Sequence, residues 1–500
     1  MARKRDAEVR YDRSVPGYYV ENFGCRATQA DGAALERQFE GRGMARAAGP
    51  AQASVVVLNT CTVTAAADQD ARAAIRRVQR QNPDAKIVVT GCYAQRVPEE
   101  VAALPGVSVV VGNSHKHRLA EIVFPHVEPA HDFGRRIVSS VANDVALPEV
   151  LSSSAPAFIP LAHLTENQNL RTESSIFVSD IFAHTELLAA PVFEAMHERT
   201  RPNLKVQDGC DNRCSFCVIP YVRGQSRSLR LDRIIHEING LVESGYREVV
   251  ISGINLGRWG RDFDGGSSGF EDLIRAILDE TSLEKLRISS VEPMDWSDEL
   301  IALVARSARI ARHAHVPMQS GSDAVLRRMH RKYRPWHYRE KITKIRAAMP
   351  AVAIGADVMV GFPGETDAEF EETRRMVEDL PVTYLHVFTY SARPGTPAAA
   401  MPGQVPVHIA RERSRVLRDL AAEKKLAFMR SFVGKRVEAI TLHVAGDDGD
   451  FTEALTDNYL KLRLPGRHKA NRWMSARVDD VSDGAMVGFE VMSDASLRGR

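Results

Sequence analysis

The chain has 500 residues, of which 44% are hydrophobic and 26% charged, a balance typical of folded proteins. A chain of this length can bury several cores, so we expect about two to four domains. The formal net charge is only +2, which neither requires nor excludes a nucleic-acid partner.

Nothing in the composition predicts export or membrane insertion. The N-terminal residues MARKRDAEVRYDR contain no apolar segment, and no stretch approaches about 18 uninterrupted apolar residues. We therefore expect a cytoplasmic protein with no membrane contact. Six cysteines in a chain this long favour a reducing compartment over a disulfide framework, so the thiols need another role.

Residues 16–125 alternate short strands with helices. The predicted strands are Gly17–Phe23, Ser54–Asn59, Lys86–Thr90 and Val107–Val111, and the clearest helical patterns are Asp31–Arg42 and Asp68–Gln81. This rhythm predicts an α/β domain with a small parallel sheet. Residues 126–200 do not continue this alternation of strands and helices, and they contain a serine run and isolated prolines. We interpret them as a linker or insertion, with a short helix near Ala183–Arg199.

Residues 201–430 resume the alternation. The predicted strands are Leu204–Gln207, Glu248–Ser252, Lys285–Ser289, His313–Val316, Ile354–Val360 and Leu385–Thr389, with helical patterns at Leu231–Ser244, Ser297–Arg306 and Asp367–Leu380. Six such units predict a partial (β/α)6 barrel.

After a long charged helix at Val407–Phe432, residues 431–497 change character. Short strands separated by Gly/Asp turns are predicted at Arg436–Val444, Phe451–Leu455, Tyr459–Leu464, Met474–Val481 and Gly488–Met492. This pattern predicts a small all-β barrel.

Three cysteines, Cys210, Cys214 and Cys217, have the spacing C-x3-C-x2-C directly after the first barrel strand. Three thiolates on one loop can bind three irons of a cubane cluster and leave the fourth iron without a protein ligand. The alternative is a structural zinc site. Tetrahedral zinc needs a fourth ligand, however, and neither Cys nor His occurs in the twelve residues after Cys217.

The other three cysteines are Cys25, Cys61 and Cys92, and each follows a predicted strand. Because the carboxyl ends of parallel strands open on one edge of a sheet, we expect these thiols to converge. Three convergent thiolates again suit a cluster with one open iron. The alternative is that each is a small buried hydrophobe, the commonest role of a free cysteine. Three cysteines at equivalent positions in successive units favour the cluster.

The motif C-x3-C-x-aromatic-C, with Phe216 as the aromatic, resembles the radical S-adenosylmethionine superfamily. The resemblance implies that Cys210, Cys214 and Cys217 hold a catalytic [4Fe–4S] cluster. It also implies that the amino and carboxylate groups of S-adenosylmethionine chelate the open iron and that an electron cleaves the sulfonium to a 5′-deoxyadenosyl radical. Phe216 would then lie against the adenine.

Further motifs resemble the methylthiotransferase family. They are YVENFGCRATQAD, NTCTVT, GCYAQ and KVQDGCDNRCSFC followed by IPYVRG, and the final β module is similar to a TRAM domain. The resemblance implies a second [4Fe–4S] cluster on Cys25, Cys61 and Cys92 that carries or accepts sulfur. It also implies two uses of S-adenosylmethionine, one to methylate the sulfur and one to make the radical.

The segments NTCTVT, ADQDARAAIRR and Gly253–Gly257 resemble the branch that acts on threonylcarbamoyl-adenosine at position 37 of tRNA. The predicted product therefore carries a methylthio group on carbon 2. Two other branches stay open: one acts on isopentenyl-adenosine and usually has Ser-Val-Arg after the cysteine, and one acts on a ribosomal-protein aspartate. A non-enzymatic alternative is an iron–sulfur protein that only binds RNA.

A basic cluster in the β module supports tRNA as the partner. Its cations, with no acidic residue between them, are Lys461, Arg463, Arg467, Lys469, Arg472 and Arg477. Tyr459 and Trp473 are interleaved, which suits phosphate contacts with base stacking. The alternative is a solvated basic face, as is usual for a stripe such as Arg72, Arg76 and Arg80. We also expect an electron donor such as flavodoxin or ferredoxin, whereas the sulfur source is unknown.

Barrel active sites lie at the carboxyl ends of the strands, so polar groups there are candidates for cofactor binding. Gly253 leaves room for a ligand, and Glu292 and Gln319 are candidates to contact ribose or methionine. Arg223 and Arg334 could reach a carboxylate or an RNA phosphate. The predicted cofactor-binding set is Phe216, Gly253, Asn255, Glu292, Gln319, Ser320 and Arg334. Further polar candidates are Ser290, Ser322, Asp357 and Gly361–Glu365, the last resembling the family's stretch near the adenine.

Overall fold

A parallel sheet with helices forms the N-terminal part of the chain. The structure is a computed structural model that describes residues 17–125, 174–184, 187, 201–263, 268–442 and 451–491. The strands of this sheet are β1 (Gly17–Asn22), β2 (Ala45–Arg46), β3 (Val55–Thr60), β4 (Lys86–Gly91), β5 (Val107–Val111) and β6 (Ser175–Phe177). Its helices are α1 (Arg26–Glu40), α2 (Ala65–Gln81), α3 (Cys92–Arg96), α4 (Pro98–Ala102) and α5 (Leu119–Val123).

These six strands pair in the order β2-β1-β3-β4-β5-β6, and every neighbouring pair is parallel. The central strand β3 reads VVVLNT and is buried at every residue, as expected for a sheet covered on both faces. The predicted α/β sheet is confirmed. Two of its strands were not predicted: β2, which has only two residues, and β6, which lies within the segment interpreted as a linker. Ile176 of β6 pairs with Val110 of β5. A segment of three residues can be identified as a strand only through such pairing. The helix expected near Ala183–Arg199 falls mostly outside the described residues.

The central part contains a partial barrel of parallel strands. The strands are β7 (Asn203–Asp208), β8 (Arg227–Ser228), β9 (Glu248–Gly253), β10 (Lys285–Ile288), β11 (His313–His315), β12 (Ala353–Val360) and β13 (Tyr384–Thr389). The helices are α6 (Ile219–Arg223), α7 (Leu231–Glu243), α8 (Phe270–Glu280), α9 (Asp298–Arg306), α10 (Asp323–Arg328), α11 (Pro335–Ala348), α12 (Asp367–Asp379) and α13 (Val407–Arg430).

Two parallel sheets, β10-β9-β7 and β11-β12-β13, are joined by the bridges Leu286↔Ile310 and Ser290↔His315. The short strand β8 is antiparallel to β7. The six parallel strands confirm the predicted partial barrel. Alternate strand residues such as Leu204 and Val206 pack into the apolar core with the helices, so the residues between them face the barrel interior.

The C-terminal strands are β14 (Arg436–Thr441), β15 (Phe451–Thr456), β16 (Lys461–Pro465), β17 (Trp473–Ser482) and β18 (Ala485–Glu490). They close into a barrel in the order β14-β15-β16-β18-β17, which is consistent with the predicted TRAM-like module. We retain the four predicted regions as our proposed domain division. Every helix within the described ranges is too short or too polar to cross a lipid bilayer.

The turn between β15 and β16 enters the floor of the central barrel. The Tyr459 ring lies 4.7 Å from the His313 ring and 5.3 Å from the Arg287 guanidinium. Arg287 also donates to the Asp457 backbone oxygen at 3.1 Å, and Arg26 of the N-terminal sheet region donates to the Tyr459 hydroxyl at 3.3 Å. Tyr459 is therefore where all three parts of the molecule meet.

Candidate active site

The cysteine loop of the barrel begins with a tight turn after β7. Gly209 has φ +71, and a Cβ there would lie 1.8 Å from the Gln225 backbone oxygen, so this position requires glycine. The backbone N–H of Cys210 bonds to the Gly224 oxygen at 3.1 Å, and that of Cys217 bonds to the Cys214 oxygen at 3.1 Å. The turn thus places all three thiols on one short loop at the mouth of the barrel.

The thiols of this loop lie close enough to influence one another. Burial, together with the neighbouring Cys214 and Cys210, raises the pKa of Cys217 to about 12. Burial also raises the pKa of Cys210. Burial thus favours the protonated thiols of Cys210 and Cys217, so a cation must replace their protons if the loop is to offer thiolates.

Polar side chains from other strands converge on this loop. Asn255 donates from Nδ2 to the Cys210 Sγ at 3.7 Å, and Arg331 donates from Nη1 to the Cys214 Sγ at 3.2 Å. Arg331 also bonds to Glu292, whose pKa is raised by burial although Arg331 opposes that rise. Cys214, Glu292, Arg331 and Tyr333 line an open cleft.

Two buried atoms at this loop have no hydrogen-bond partner within the described structure, Asn255 Oδ1 and Arg331 Nε. Leaving a buried polar atom unpaired costs about 1–3 kcal/mol, so such atoms are uncommon in a native structure. A ligand with a donor for the Asn255 oxygen and an acceptor for the Arg331 nitrogen satisfies both. The amino and carboxylate groups of S-adenosylmethionine have this chemistry.

Three predicted cofactor-binding residues lie at the same end of the barrel. The Phe216 and Phe362 rings pack edge to face at 6.4 Å, which places Phe216 beside the Gly361–Glu365 stretch. A Cβ on Gly253 would lie 2.9 Å from the Gln207 side chain, so Gly253 allows two strands to approach. Gln319 has φ +61, and its backbone N–H bonds to the Asp357 oxygen at 2.8 Å.

Other predicted residues are engaged elsewhere. The Ser320 hydroxyl pairs with Thr373 at 3.1 Å, and Arg334 forms an ion pair with Asp323 at 3.4 Å. Sequence reasoning missed Arg331, which contacts the cysteine loop although it lies only three residues before Arg334. Both arginines occur in HRKYRP, and only tertiary packing distinguishes them. Ser290 pairs with His315 in an isolated bridge, and the Ser322 backbone N–H donates to Ser320.

The three N-terminal cysteines also come together. Cys25 caps α1, Cys61 follows β3, and Cys92 begins α3 directly after β4. Burial, together with the neighbouring Cys92 and Cys25, raises the pKa of Cys61 to about 12. Gly24 has φ +100, and a Cβ there would lie 2.6 Å from the Cys61 Cβ. The common edge of the parallel strands therefore gathers these thiols.

The two cysteine sets face each other across α6. Cys92 packs against Val218 and Val222, the residues that follow Cys217. Asn113 donates from Nδ2 to the Val222 oxygen at 2.7 Å and to the Cys92 Sγ at 3.6 Å. One short helix thus connects the loop of one set to a thiol of the other.

A buried network of charges lies beside both sets. The Asp31 carboxylate accepts hydrogen bonds from Lys116, Lys205 and Arg223. Asp208 accepts from Lys205 at 2.8 Å and from Arg223 at 2.9 Å. Burial alone would raise the pKa of Asp31, but the three cations lower it to about 2. Arg223 thus reaches carboxylates in the interior, one of the two contacts expected for it, and its buried side chain is not available to an RNA phosphate.

Two protein-family models match the two parts of the chain that contain the cysteine sets. Residues 17–112 match the uncharacterized protein family UPF0004, and residues 204–377 match the radical SAM superfamily. The chain is 34% identical to the threonylcarbamoyladenosine tRNA methylthiotransferase MtaB of Aquifex aeolicus, covering 89% of this chain and 96% of that protein. The Bacillus subtilis MtaB is also 34% identical, with 89% of each chain covered.

The chain belongs to the radical S-adenosylmethionine methylthiotransferase family. Another relative, the tRNA-2-methylthio-N(6)-dimethylallyladenosine synthase of Novosphingobium aromaticivorans, is 34% identical over 85% of this chain and 86% of its own. Among solved structures, the radical S-adenosylmethionine methyltransferase TsrM of Kitasatospora setae superposes with a TM-score of 0.50 at 14% identity, covering 77% of this chain and 75% of that one. That likeness concerns the fold.

As a methylthiotransferase of this family, the protein is an enzyme that uses S-adenosylmethionine and [4Fe–4S] clusters. The residues present fit these groups. Each cysteine set offers three thiols, which suits a cubane with one open iron. Beside the N-terminal set, Asn113 Oδ1 is also buried and has no hydrogen-bond partner among the described residues.

The basic cluster of the C-terminal barrel is exposed at most of its cations. Lys461, Arg467, Lys469, Arg472 and Arg477 are exposed, and Arg463 is half-buried. The two aromatic residues expected to stack on bases are partly buried against the central barrel. Tyr459 lies in the barrel floor, and the Trp473 ring is covered by the Lys285 ammonium at 5.1 Å. Both rings contact cations of the central barrel, and base stacking by them stays a prediction.

Proposed function

We propose that this methylthiotransferase adds a methylthio group to carbon 2 of threonylcarbamoyl-adenosine at position 37 of tRNA. The structural observation that carries the proposal is the placement of the two cysteine sets on either side of α6. A radical made at one set and a sulfur held at the other must reach the same carbon atom. Relatives named for the threonylcarbamoyl substrate support this choice of side group.

In this proposal Cys210, Cys214 and Cys217 hold the cluster that binds S-adenosylmethionine, and the N-terminal set, Cys25, Cys61 and Cys92, holds the second cluster. When bound, the first cluster with S-adenosylmethionine supplies the radical that removes hydrogen, and the second supplies the sulfur.

The surrounding side chains position these groups. Asn255 and Arg331 each contact a cysteine of the barrel loop and each have one unpaired atom for S-adenosylmethionine. Phe216 and Phe362 form an apolar wall suited to an adenine ring. Arg331 also keeps Glu292 paired, so that carboxylate is held in one orientation.

The partners follow from the same chemistry. We propose that the exposed cations of the C-terminal barrel contact tRNA phosphates. Reductive cleavage of S-adenosylmethionine consumes one electron, so we propose a small donor such as flavodoxin or ferredoxin. With tRNA as the substrate, we place the enzyme in the cytoplasm.

Mass spectrometry of tRNA nucleosides tests this function. A strain lacking the gene is compared with one that carries it. We expect loss of the methylthio group from threonylcarbamoyl-adenosine alone. Loss from isopentenyl-adenosine would assign the enzyme to the branch of the Novosphingobium relative instead. If the reduced, reconstituted protein forms no 5′-deoxyadenosine, the enzymatic proposal fails and an RNA-binding role takes its place.

A further inference from the structure

Three potential metal ligands lie on adjacent strands inside the barrel. His315 of β11, Asp357 of β12 and His386 of β13 each offer one ligand atom, and these atoms lie within 4.8 Å of one another. The His315 Nε2 is 3.1 Å from one carboxylate oxygen of Asp357, and the His386 Nδ1 is 3.3 Å from the other. Asp357 and His386 are direct neighbours in the strand register, so the sheet itself sets this geometry.

A fourth side chain fixes the orientation of His315. The Tyr384 hydroxyl lies 3.1 Å from the His315 Nδ1 and 2.7 Å from the His313 Nε2. Tyr384 can reach across β12 because residue 355 is glycine: a Cβ there would lie 2.1 Å from the tyrosine ring. With Nδ1 held by the hydroxyl, Nε2 is directed at Asp357. Metal-binding histidines usually have such a partner on the second ring nitrogen.

The spacing of the three ligand atoms suits a bound cation. Metal–ligand bonds of about 2.1 Å place neighbouring ligand atoms about 3.0 Å apart in an octahedron and about 3.4 Å apart in a tetrahedron. The two contacts in the structure, 3.1 and 3.3 Å, fall in this range. Among the described residues, the ion-pair partners of Asp357 are the two histidines, with no lysine or arginine.

The cluster is also accessible. His315 is buried, Asp357 is partly exposed, and the side chain of His386 is 54% exposed. The neighbouring Phe388, whose ring lies 6.5 Å from that of His386, is exposed as well. A cation here would therefore have protein ligands on one side and open positions on the other.

We propose that His315, Asp357 and His386 bind a divalent transition-metal cation, separate from the iron–sulfur clusters, that presents open coordination positions to the substrate. Two imidazoles and one carboxylate favour Zn²⁺ or a similar metal over Mg²⁺ or Ca²⁺, which prefer oxygen ligands. The role in recognition rests on the proposed function. A threonylcarbamoyl group has carboxylate and hydroxyl oxygens that can ligate the cation, whereas an isopentenyl group has no ligand atom.

Zinc uptake by the holoenzyme tests the site without any RNA. The reconstituted enzyme is dialysed against Zn²⁺ at concentrations that leave its iron content unchanged, and bound zinc and iron are counted by plasma mass spectrometry. We expect the wild-type enzyme to bind one more zinc per chain than Asp357→Asn and His386→Gln. The control His236→Gln, which changes an exposed histidine of α7, should match the wild type.

Equal zinc uptake by all four proteins would overturn the proposal, because the three side chains would then form only a hydrogen-bonded chain. Equal iron in all four shows that the variants fold and keep their clusters. The recognition role has its own measurement: the affinity for an anticodon stem-loop bearing threonylcarbamoyl-adenosine. Zn²⁺ should strengthen it by roughly tenfold, as one charge-assisted contact would, in the wild type and not in Asp357→Asn. A zinc-independent affinity would refute that role, and it would leave the nucleoside test of the proposed function unaffected.

Discussion

The guanidinium of Arg223 donates a 3.0 Å hydrogen bond to the carboxylate of Asp31, and this contact joins the central barrel to the N-terminal sheet. Asp31 lies in α1, which begins directly after Cys25, and Arg223 ends α6, which follows Cys217. The pair therefore connects the two cysteine sets through short, rigid segments. Both side chains are 2% exposed, so solvent does not screen them.

Replacing Arg223 should lower the reduction potential of the N-terminal cluster. In the network the cations Lys116, Lys205 and Arg223 exceed the carboxylates Asp31 and Asp208 by one, and this positive charge favours the reduced, more negative cluster. One unit charge at about 10 Å contributes roughly 1–2 kcal/mol at an effective dielectric constant near 20. We therefore expect Arg223→Met to lower the midpoint potential by tens of millivolts in a titration followed by electron paramagnetic resonance.

The variant Arg223→Lys is the matched control, because it keeps the charge but loses the paired contacts to Asp208. Its potential should stay near the wild-type value, and the barrel cluster serves as an internal reference in both variants. An unchanged potential in Arg223→Met would show that the network has only a structural role.

Gly24→Ala should remove the N-terminal cluster while sparing the other. A Cβ at Gly24 would lie 2.6 Å from the Cys61 Cβ and 2.9 Å from its sulfur, so the thiol must move. Gly43→Ala is the control, because Gly43 also has positive φ, +74, but has open space around it. Both variants bear the strain of about 1–2 kcal/mol of a left-handed alanine. Only Gly24→Ala should lose about half of the iron after reconstitution; equal iron in both variants would refute this.

Arg331→Met should destabilise the barrel and disturb its cluster. The substitution leaves the partly buried Glu292 without its partner, which costs at most the roughly 3–5 kcal/mol of a fully buried ion pair. The loss of the bond to Cys214 should also shift the magnetic resonance spectrum of the S-adenosylmethionine-binding cluster. Arg334→Met is the control, since its pair with Asp323 is more exposed and is expected to contribute about 1 kcal/mol at most. Thermal unfolding of both variants measures the difference, and similar melting curves would contradict the prediction.

Charge reversal at Lys461 and Arg477 should weaken tRNA binding. Both are exposed cations of the C-terminal barrel. If each contacts a phosphate, the double variant Lys461→Glu with Arg477→Glu should bind less tightly, and its salt-dependence slope should fall by about one per lost contact. Filter binding at several salt concentrations measures the slope. The control is the double variant Arg76→Ala with Arg80→Ala on the exposed face of α2. This control should leave the salt-dependence slope unchanged.

Removing the N-terminal thiols should separate radical formation from sulfur transfer. In the triple variant of Cys25, Cys61 and Cys92 to Ala, the barrel loop keeps its contacts with Asn255 and Arg331, because these side chains bond to Cys210 and Cys214. We expect 5′-deoxyadenosine to form and methylthiolated product to be absent. Continued product formation would rule out an obligatory second cluster.

Sequence periodicity predicted most elements because each strand and helix buries one side. The strand Val107–Val111 has the predicted bounds, and α2 begins only three residues before its predicted start because Thr64 caps it through a hydrogen bond to Ala67. Loop spacing in the barrel set and repetition in the N-terminal set directed attention to the cysteines. By contrast, β6 was missed because three residues are too few to show an alternation of apolar and polar side chains. It is a strand only through its pairing with β5.

The sequence by itself determined the chemistry of this enzyme, because thiol spacing on one loop and thiols at the ends of parallel strands are local features. Tertiary structure decided which polar side chains contact these thiols. Arg331 rather than Arg334 contacts the cysteine loop, Arg223 lies in a buried network, and Tyr459 fills the barrel floor. These outcomes depend on contacts between residues far apart in the chain. No pattern within a single segment contains that information, because burial and pairing arise only when the three parts pack together.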